Sequence, residues 1–588
     1  MANVAKNARN VRCQAISLIV IIAGIYFVLF AFILPARYFY HSDPGMKFIQ
    51  IQNLARVPPS VALKDPATDW TTNPRYSALR EFSVWLNGSH FSVFSIFYAV
   101  LNVIPFKVFG AAGVYLVSAL SALAAIWLTY QLSQSISGRG GQWDVILALG
   151  IGSPLFFYAV ELYEHAAGAL FAVASVFCLW KAIRRENGQR LWAAGLLAGV
   201  GVWFRTELYM LIIAEGLALI LLIPRAYRLR NLLCFIGSAV LGLIPLWVVN
   251  SIIYDNPVGA HLIVNWGLRD YPLTMRELLS YFLQSRRLVL RMLFPIHWAR
   301  WVMVYLVALA GIVLHYLSPK LTKSFIFWAS FVVTIGAGLF FTAVYLSGPW
   351  GLESLFEALP IALLLPWLAL SQHTRDSASP AKPDAILGTK LLAIVGLGYL
   401  VLVVLTSPVP GGVQWGGRLF LPAVPLLVVL AKISYERLVS RWGPSGQGWG
   451  KKLLAGTWYA LVAVSIAVQC VGISQLYSIK RSYERLGETL LEMPNQPIVT
   501  NLWWFPLAMS SIFYDRPFLR ADTCADLGEL AGAIASRGTS AFTYVSAPAV
   551  VSDLSQASCP GLAGWRAGSM IKIPLWTPVH IVSYYRVE

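Results

Sequence analysis

Long apolar segments alternate with short polar segments along most of the chain. An α-helix needs roughly 20 apolar residues to cross the hydrocarbon core of a bilayer, and most of these runs approach that length. We therefore predict about thirteen transmembrane helices, at residues 16–36, 111–133, 144–160, 166–182, 191–205, 207–224, 232–251, 298–317, 324–346, 354–371, 388–406, 418–434 and 453–474. Residues 91–109 are also apolar, but Pro105 and Lys107 near their end fit either a further span or a re-entrant segment.

The first apolar run follows the basic segment "MANVAKNARNVR". A secretory signal peptide has a shorter apolar core, of roughly 7–15 residues, and small residues at its cleavage site. The stretch "FAFILPARYF" offers no such site. We predict an uncleaved first transmembrane helix with the N-terminus in the cytoplasm.

The charges between the apolar runs agree with this orientation. Counted from a cytoplasmic N-terminus, the inner loops carry lysine and arginine clusters such as Lys181, Arg184 and Arg185, as the positive-inside rule requires. The outer loop at residues 252–297 departs from the rule because it contains several arginines. Its segment "SRRLVLRMLF" predicts an amphipathic helix at the outer membrane surface.

The pattern changes after residue 475. The runs "QPIVTN", "SAFTYVSA" and "TPVHIVSYYRV" are typical of strands, and "ADLGELAGAIASRG" predicts an amphipathic helix. We predict two domains: a transmembrane catalytic domain, 1–475, whose outer loop 37–90 carries amphipathic helices, and a small α/β domain, 476–588. An odd number of spans places the second domain outside the cytoplasm.

Composition supports the membrane assignment. Hydrophobic residues make up 57% of the chain and charged residues 12%, whereas soluble domains contain roughly 45–50% apolar residues. The net charge of +18 lies in short clusters between apolar runs, which is typical of topology signals and argues against nucleic-acid binding. Cys524 and Cys559 lie in the predicted outer domain, where a disulfide and two separate thiols both fit.

Polar residues recur at the predicted outer ends of the spans, where an apolar boundary makes charge costly. These candidate site residues are Asp43 and Lys47 in "HSDPGMKFIQIQNLA", Glu161, Glu164 and His165 in "ELYEH", Arg205 and Glu207 in "FRTELYML", Trp415 and Arg418 in "WGGRLFLPAVP", and Arg286, Arg287 and Arg291 in the arginine-rich outer loop.

Local structural interpretations of these residues stay open. Asp43 fits an N-cap of a helix that begins near Gly45, since Pro44 suits a first helical position. Glu164 with His165 fits a cap of the fourth span. Arg205 with Glu207 fits a structural ion pair, and Arg418 fits a side chain that reaches toward the membrane surface.

Considered together, the candidates favour a catalytic site. A carboxylate can take a proton from a hydroxyl group, and arginine binds phosphate by paired hydrogen bonds. An amphipathic outer loop can guide a lipid at the interface. Because ATP is not available outside the cytoplasm, an activated lipid is the natural donor. The pattern indicates transfer of a group from a lipid phosphate to an outer acceptor.

This layout resembles the GT-C superfamily of polyprenyl-phosphate-sugar-dependent membrane glycosyltransferases. It is similar to the bacterial lipid A aminoarabinose transferase, the protein O-mannosyltransferase and the lipopolysaccharide galacturonosyltransferase-like families. The resemblance covers residues 16–435 and is carried by the four motifs "HSDPGMKFIQIQNLA", "ELYEH", "FRTELYML" and "WGGRLFLPAVP". The tail after residue 476 resembles the soluble extracytoplasmic domains that some members carry.

The resemblance implies a GT-C fold and an inverting transfer of a sugar from a polyprenyl-phosphate donor to a glycan, lipid or protein acceptor. It implies that Asp43 is the general base. Glu161, Glu164 and His165 then orient the sugar or the acceptor, and the arginines bind the donor phosphate. The location implied is the plasma (inner) membrane, with the active face and the tail outside the cytoplasm.

The first outer loop departs from the family pattern in one respect. Members of the family often have two adjacent acidic residues there, whereas Ser42 and Pro44 flank Asp43. A single carboxylate is a poor ligand set for a hard cation, which takes several oxygen ligands. The sequence therefore predicts no definite cofactor and leaves a divalent cation open.

The main alternative function is a transporter or flippase of a lipid-linked or small-molecule substrate. Transporters commonly have internal repeats and charges near the middle of the membrane. This sequence shows no clear repeat, and its candidate charges lie at the outer ends of the predicted spans. We therefore favour the glycosyltransferase.

Overall fold

The structure is a computed structural model. It describes residues 2–137, 142–185, 188–265, 283, 286–294, 298–317, 320–346, 354–369, 383–407, 414–442, 449–547, 562, 564–573 and 578–587. Contacts divide the chain into two compact units. The first unit comprises Met1–Phe27, Val117–Val248 and Asn265–Ile473, and the second comprises Val28–Leu116, Val249–Val264 and Ser474–Glu588.

Helices dominate the first unit and most of the chain. In chain order the helices are α1 (Ala2–Val28), α2 (Ser42–Ala55), α3 (Ile96–Phe109), α4 (Leu116–Ser137), α5 (Trp143–Gly150), α6 (Leu155–Ala159), α7 (His165–Arg185), α8 (Gly188–Gly201), α9 (Leu208–Leu222), α10 (Arg225–Tyr254), α11 (Ala260–Asn265), α12 (286–293), α13 (Trp298–Leu317), α14 (Lys320–Leu346), α15 (Leu355–Ala358), α16 (Pro383–Thr406), α17 (Val424–Trp442), α18 (Trp449–Glu492), α19 (Phe505–Ala508) and α20 (Cys524–Ser536).

Among the described residues, seven helical stretches are long and apolar enough to cross a membrane, judged by length and composition. The chain is therefore a polytopic α-helical membrane protein, as predicted. The count of thirteen spans stays a prediction. The seven stretches are Val11–Ile33, Ile96–Ser137, His165–Arg185, Arg225–Tyr254, Pro383–Thr406, Arg418–Ser440 and Gly456–Glu492.

Two predicted spans are broken. Residues 354–371 contain the 4-residue α15 and a 10-residue 3₁₀ helix, Pro360–Ala369, instead of one α-helix. Residues 144–160 form the 8-residue α5 and the 5-residue α6 instead of one helix. Gly152 and Pro154 oppose helix continuation between them. The Ser153 hydroxyl donates to the Leu149 carbonyl at 2.6 Å and accepts from the Leu155 amide at 3.2 Å, which satisfies backbone groups at the break.

The segment whose span was left open contains the short helix α3. At about 1.5 Å per residue, its 14 residues extend about 21 Å, which is less than the roughly 30 Å thickness of a hydrocarbon core. Pro105 lies inside this helix. By itself α3 is too short to cross a membrane.

The second unit contains two sheets. Strands β1 (Ser83–Leu86) and β2 (Ser89–Ser92) form an antiparallel hairpin. The remaining five strands form a mixed sheet in the order β4-β3-β5-β7-β6, in which β3 is parallel to both β4 and β5. Those strands are β3 (Ile498–Thr500), β4 (Phe518–Arg520), β5 (Ala541–Ser546), β6 (Trp565–Ile573) and β7 (Val579–Arg586).

The sequence predicted three of these five strands and the helix α20. It missed β4 and β6, whose segments carry no clear alternation. Helix α20 begins with a capping box in which the Thr523 hydroxyl and the Asp526 carboxylate each bind the other's backbone amide. The domain boundary at residue 475 stays a prediction; the second unit adds residues 28–116 and 249–264 to the tail.

The segment between α1 and α4 and the tail share one hydrophobic core in the second unit. Met46 and Ile49 of α2 are buried in the same cluster as Phe505 and Leu507 of the tail. Polar contacts add to this packing, because Arg520 donates to Glu81 at 2.6 Å and Arg80 pairs with Asp522. Segments that lie hundreds of residues apart in the sequence thus fold as one body.

Candidate active site

Buried charges lie at the start of α7 and of α9 in the first unit. Glu164 immediately precedes α7, and the turn between α8 and α9 carries Arg205 and Glu207. The Arg205 Nη1 donates to Glu164 Oε1 at 2.7 Å, and its Nε donates to Glu207 Oε2 at 3.0 Å. Its Nη2 binds the other oxygen of Glu207, so this carboxylate is held by two atoms. One guanidinium therefore joins two carboxylates that the sequence placed at separate spans.

Arg205 and Glu164 are both buried, and the Arg205 guanidinium is shared between Glu164 and Glu207. A buried ion pair is costly to break because the remaining charge stays in a poor environment.

A double-glycine turn presents Arg418. Gly416 and Gly417 have φ values of 64° and 61°, a region that residues with a side chain adopt at a cost. Arg418 follows at once and is buried. Its Nη1 lies 3.5 Å from the Tyr163 hydroxyl oxygen, to which it donates. Tyr163 in turn belongs to the "ELYEH" segment, so Arg418 adjoins the Glu164 turn.

Aromatic rings enclose His165, the first residue of α7. Its ring stacks on Tyr158 at a centroid distance of 5.0 Å and meets the edge of Tyr163 at 5.1 Å. Tyr158 donates its hydroxyl proton to the Trp415 carbonyl at 2.8 Å. Glu161, the remaining member of the predicted motif, is fully buried. The structure thus brings "ELYEH", Arg205, Glu207 and Arg418 into one neighbourhood.

Trp415 supports the arginine turn from within. Its indole is fully buried, and Nε1 donates to Gln469 Oε1 at 2.8 Å. Gln469 also donates to the Ala358 carbonyl at 2.7 Å. A substrate-binding role for Trp415 stays a prediction, whereas its contacts hold the segment before Arg418 in place.

The three arginines of the outer loop differ in their surroundings. Arg286 is buried and donates to the carbonyl oxygens of Val404 and Ser407, at the end of α16. Last-turn carbonyls have no partner within their own helix, so Arg286 caps α16. Arg287 and Arg291 lie one helical turn apart and are exposed. The predicted amphipathic helix is present as α12, with Val289 and Met292 buried on its other side.

Asp43 lies in the second unit, in the first turn of α2. That helix begins at Ser42, so Asp43 is inside the first turn. The local interpretation of Asp43 as the N-cap is therefore wrong. Asp43 is buried, and the dipole of a helix favours negative charge at this end. The neighbouring His41 Nδ1 and Ser42 Oγ are hydrogen-bonded at 2.7 Å.

Lys47 is one helical turn beyond Asp43 on α2. It is buried, and its ammonium nitrogen lies 4.4 Å from the centre of the Phe94 ring. A cation over an aromatic face is attracted to the negative ring surface. Its predicted substrate-binding role stays a prediction, as does the convergence of Asp43 with the first-unit cluster.

Sequence reasoning missed two residues of the second unit. Lys480 is fully buried on α18 and donates to the Tyr115 hydroxyl at 2.9 Å. Trp503 follows β3 and lies beside His41. A signal for Lys480 existed, since it shares the helical spacing of the buried residues Leu476 and Tyr483.

Two further predictions concern ligands and covalent links. Among the described residues, no group of three histidine, cysteine, aspartate or glutamate side chains is placed to hold a metal ion. The divalent cation remains the open possibility that the sequence raised. Cys524 is disulfide-bonded. Cys559 lies outside the described residues, so their pairing stays a prediction.

Comparison with known proteins adds to this picture. The model of a family described as dolichyl-phosphate-mannose-protein mannosyltransferase matches residues 95–251. That stretch contains "ELYEH" together with Arg205 and Glu207. For these residues the match confirms the predicted resemblance to the protein mannosyltransferases.

Solved structures with a similar course of the chain have low sequence identity. ArnT from Cupriavidus metallidurans in the apo state is 13% identical, with 97% of this chain and 98% of that chain covered and a TM-score of 0.48. The archaeal oligosaccharyltransferase AglB from Archaeoglobus fulgidus, in complex with an inhibitory peptide and a dolichol-phosphate, is 12% identical, covers 90% and 69%, and has a TM-score of 0.46. At these TM-scores neither structure supports a conclusion about this chain. No curated protein sequence matches it.

Proposed function

We propose that this protein transfers a sugar from a polyprenyl-phosphate donor to an acceptor hydroxyl outside the cytoplasm. One observation carries the proposal: the cluster in which the buried Arg205 joins Glu164 and Glu207 lies inside the stretch that matches the mannosyltransferase family. The description of that family names a lipid-phosphate sugar, dolichyl-phosphate mannose. Buried, joined charges at helix ends within a membrane protein are typical of functional sites.

The proposed reaction is a single displacement. The acceptor oxygen attacks the anomeric carbon, the acceptor proton passes to the Asp43 carboxylate, and the bond from the anomeric carbon to the phosphate oxygen breaks. Polyprenyl phosphate leaves with the electron pair of this bond and thereby gains one negative charge. Stabilising that charge as it develops is the largest contribution a preorganised site makes to the rate.

Different arginines suit different tasks in this reaction. Arg205 is engaged by two carboxylates and Arg286 by backbone carbonyls, so we assign them to positioning. Arg418, next to Tyr163, and the exposed Arg287 and Arg291 are the cations that we assign to the donor phosphate. Glu161, Glu164 and His165 orient the sugar or the acceptor.

The test compares two aspartates of the first outer loop. Purified protein in lipid nanodiscs is given a panel of polyprenyl-phosphate sugars, and released polyprenyl phosphate is measured. Loss of a general base lowers turnover by about 10²–10⁴-fold, so Asp43→Asn is expected to reduce release by that factor with thermal unfolding unchanged. Asp69 is exposed in the same loop, and Asp69→Asn should retain wild-type turnover. Full turnover by Asp43→Asn removes the catalytic role of Asp43.

A further inference from the structure

The mixed sheet of the second unit has a point at which ligands commonly bind. Chain order starts at β3, continues to its neighbour β4 on one side, and then crosses to β5 on the other side. The connections from β3 and from β4 therefore run in opposite directions along the sheet. The point of divergence lies at the carboxyl ends of β3 and β5. In open α/β sheets the connections diverge at such a point and leave a crevice that binds ligands.

The loop that follows β3 at this edge carries Trp503. Asn501 is the first residue after the strand, and no described residue hydrogen-bonds to its side-chain oxygen. Trp503 is 40% exposed, although tryptophan side chains are on average largely buried. A buried side-chain oxygen and a partly exposed indole therefore lie two residues apart after β3.

The same loop lies against the start of α2. The Trp503 ring is 5.9 Å from the His41 ring, in an edge arrangement, and 5.9 Å from Phe82. His41 precedes Asp43 by two residues. Leu507, a few residues after Trp503, packs so closely on Gly45 that a Cβ there would overlap its carbonyl oxygen. The exposed indole is thus fixed beside the segment that carries the proposed general base.

We propose that Trp503 is a stacking platform for a pyranose ring of the acceptor, so that the acceptor is a carbohydrate. This inference rests on the proposed glycosyl transfer and names its acceptor class. The C–H face of a pyranose is apolar and matches the flat indole, while the ring hydroxyls point outward to polar groups. His41, whose ring lies 5.9 Å from the indole, supplies such a group. Rigid aromatic walls with a few placed polar groups are characteristic of small-molecule sites.

A different role for an exposed tryptophan in a membrane protein is anchoring at the lipid interface. Anchoring requires neither a strand-end position nor a histidine at the edge of the ring. Trp85 provides a matched control, because it is also 40% exposed and also meets a histidine edge-on, with its ring 4.6 Å from that of His90. It lies in the β1–β2 hairpin and not in the loop that follows β3.

The first experiment measures binding without a donor. Full-length protein in nanodiscs is titrated with maltotriose, chitotriose and mannotriose, and saturation-transfer NMR reports ring C–H protons that touch the protein. At least one trisaccharide should bind, Trp503→Ala should weaken it roughly three- to tenfold, and Trp503→Phe should retain most of the affinity. Trp85→Ala should bind like wild type. Absence of binding to wild type, or equal binding by wild type and Trp503→Ala, overturns the proposal.

The second experiment measures transfer with a donor that is turned over. Trp503→Ala should raise the KM for a carbohydrate acceptor while the KM for the donor and the release of lipid phosphate to water stay unchanged. An equal rise in both KM values, or altered membrane attachment with unchanged sugar binding, contradicts the platform. The two proposals fail separately: trisaccharide binding that depends on Trp503, without any transfer, overturns the proposed reaction alone.

Discussion

Arg205 is the residue on which the buried charges of the first unit depend. Replacing it with alanine removes the cation that joins Glu164 and Glu207 in a buried environment. Breaking a buried ion pair costs about 3–5 kcal/mol, so Arg205→Ala should lower the stability of the chain by that amount. Arg205→Lys should recover only part of it, because an ammonium cannot match the two-point contact with Glu207. Thermal and denaturant unfolding in nanodiscs measure both changes.

A surface ion pair of the same unit supplies the control. Arg184 and Asp384 lie 2.8 Å apart, but their side chains are 36% and 44% exposed. Exposed pairs contribute about 0–1 kcal/mol, so Arg184→Ala should change stability by no more than that. If Arg205→Ala and Arg184→Ala have the same small effect, the carboxylates at Arg205 are not held as the structure indicates.

At the residue scale, the sequence indicated which residues belong to the site better than it indicated which residues they contact. An ion pair between Arg205 and Glu207 was one of the local interpretations, because the two residues are neighbours in the sequence. The contact with Glu164 joins two helices and leaves no trace in local spacing. Lys480 shows a different problem. Sequence analysis assigns a lysine to the solvent-exposed face of a helix by default, and only the structure shows that Lys480 is buried.

Helix α2 depends on one close approach that can be tested directly. Gly45 faces the carbonyl oxygen of Leu507 within the second unit, and a methyl group there would overlap it. Overpacking of this kind costs about 1–3 kcal/mol, so Gly45→Ala should lower the unfolding temperature. Because the contact also fixes the loop with Trp503, the variant should bind the trisaccharides more weakly. Unfolding in nanodiscs and the NMR titration give both readouts.

Gly532 serves as the counterpart of Gly45. It is a helical glycine of the same unit, in α20, and has no atom within 4 Å of an added Cβ. Alanine in a helix is favoured over glycine by about 1 kcal/mol, so Gly532→Ala should be neutral or stabilising. A similar decrease of the unfolding temperature in both variants would show that the effect does not depend on the Leu507 contact.

Elements were predictable where a single pattern decides them. Apolar length identified α7, α10 and α16, and alternation identified β5 and β7. The same criterion joined α5 and α6 into one span, because average hydropathy does not register a break that Gly152, Ser153 and Pro154 impose. The hairpin β1–β2 was missed as well, although Asn87 and Gly88 at its turn, with φ values of 49° and 79°, form a pair that favours such turns.

At the scale of the whole molecule, the chain order conceals how the second unit is built. The segment of residues 28–116 packs with the tail that begins at Ser474. Their shared core contains Met46 from one and Phe505 from the other. No periodicity in either segment points to the other, since such contacts depend on tertiary packing alone. The sequence could therefore predict the parts of this unit without predicting that they form one body.

The orientation of the chain in the membrane is the remaining prediction at this scale. The predicted arrangement, which we propose for the folded protein, puts the first outer loop outside and the basic end of α7 in the cytoplasm. Translocating a cluster of positive charges is unfavourable, and basic residues therefore stay inside. Asp69 and Arg185 are both exposed, so a cysteine at either position can be labelled without disturbing the fold.

The labelling experiment replaces the free cysteines Cys13, Cys178, Cys234 and Cys470 with alanine. A membrane-impermeant maleimide applied to intact cells should label Asp69→Cys at once and Arg185→Cys only after permeabilisation. Labelling of both positions from outside would mean that the number of membrane crossings between the first outer loop and the end of α7 differs from the predicted number. Reversed labelling would invert the whole chain. In that case Asp43 would face the cytoplasm, where ATP and nucleotide sugars are available, and the physical reason for a lipid-linked donor would disappear.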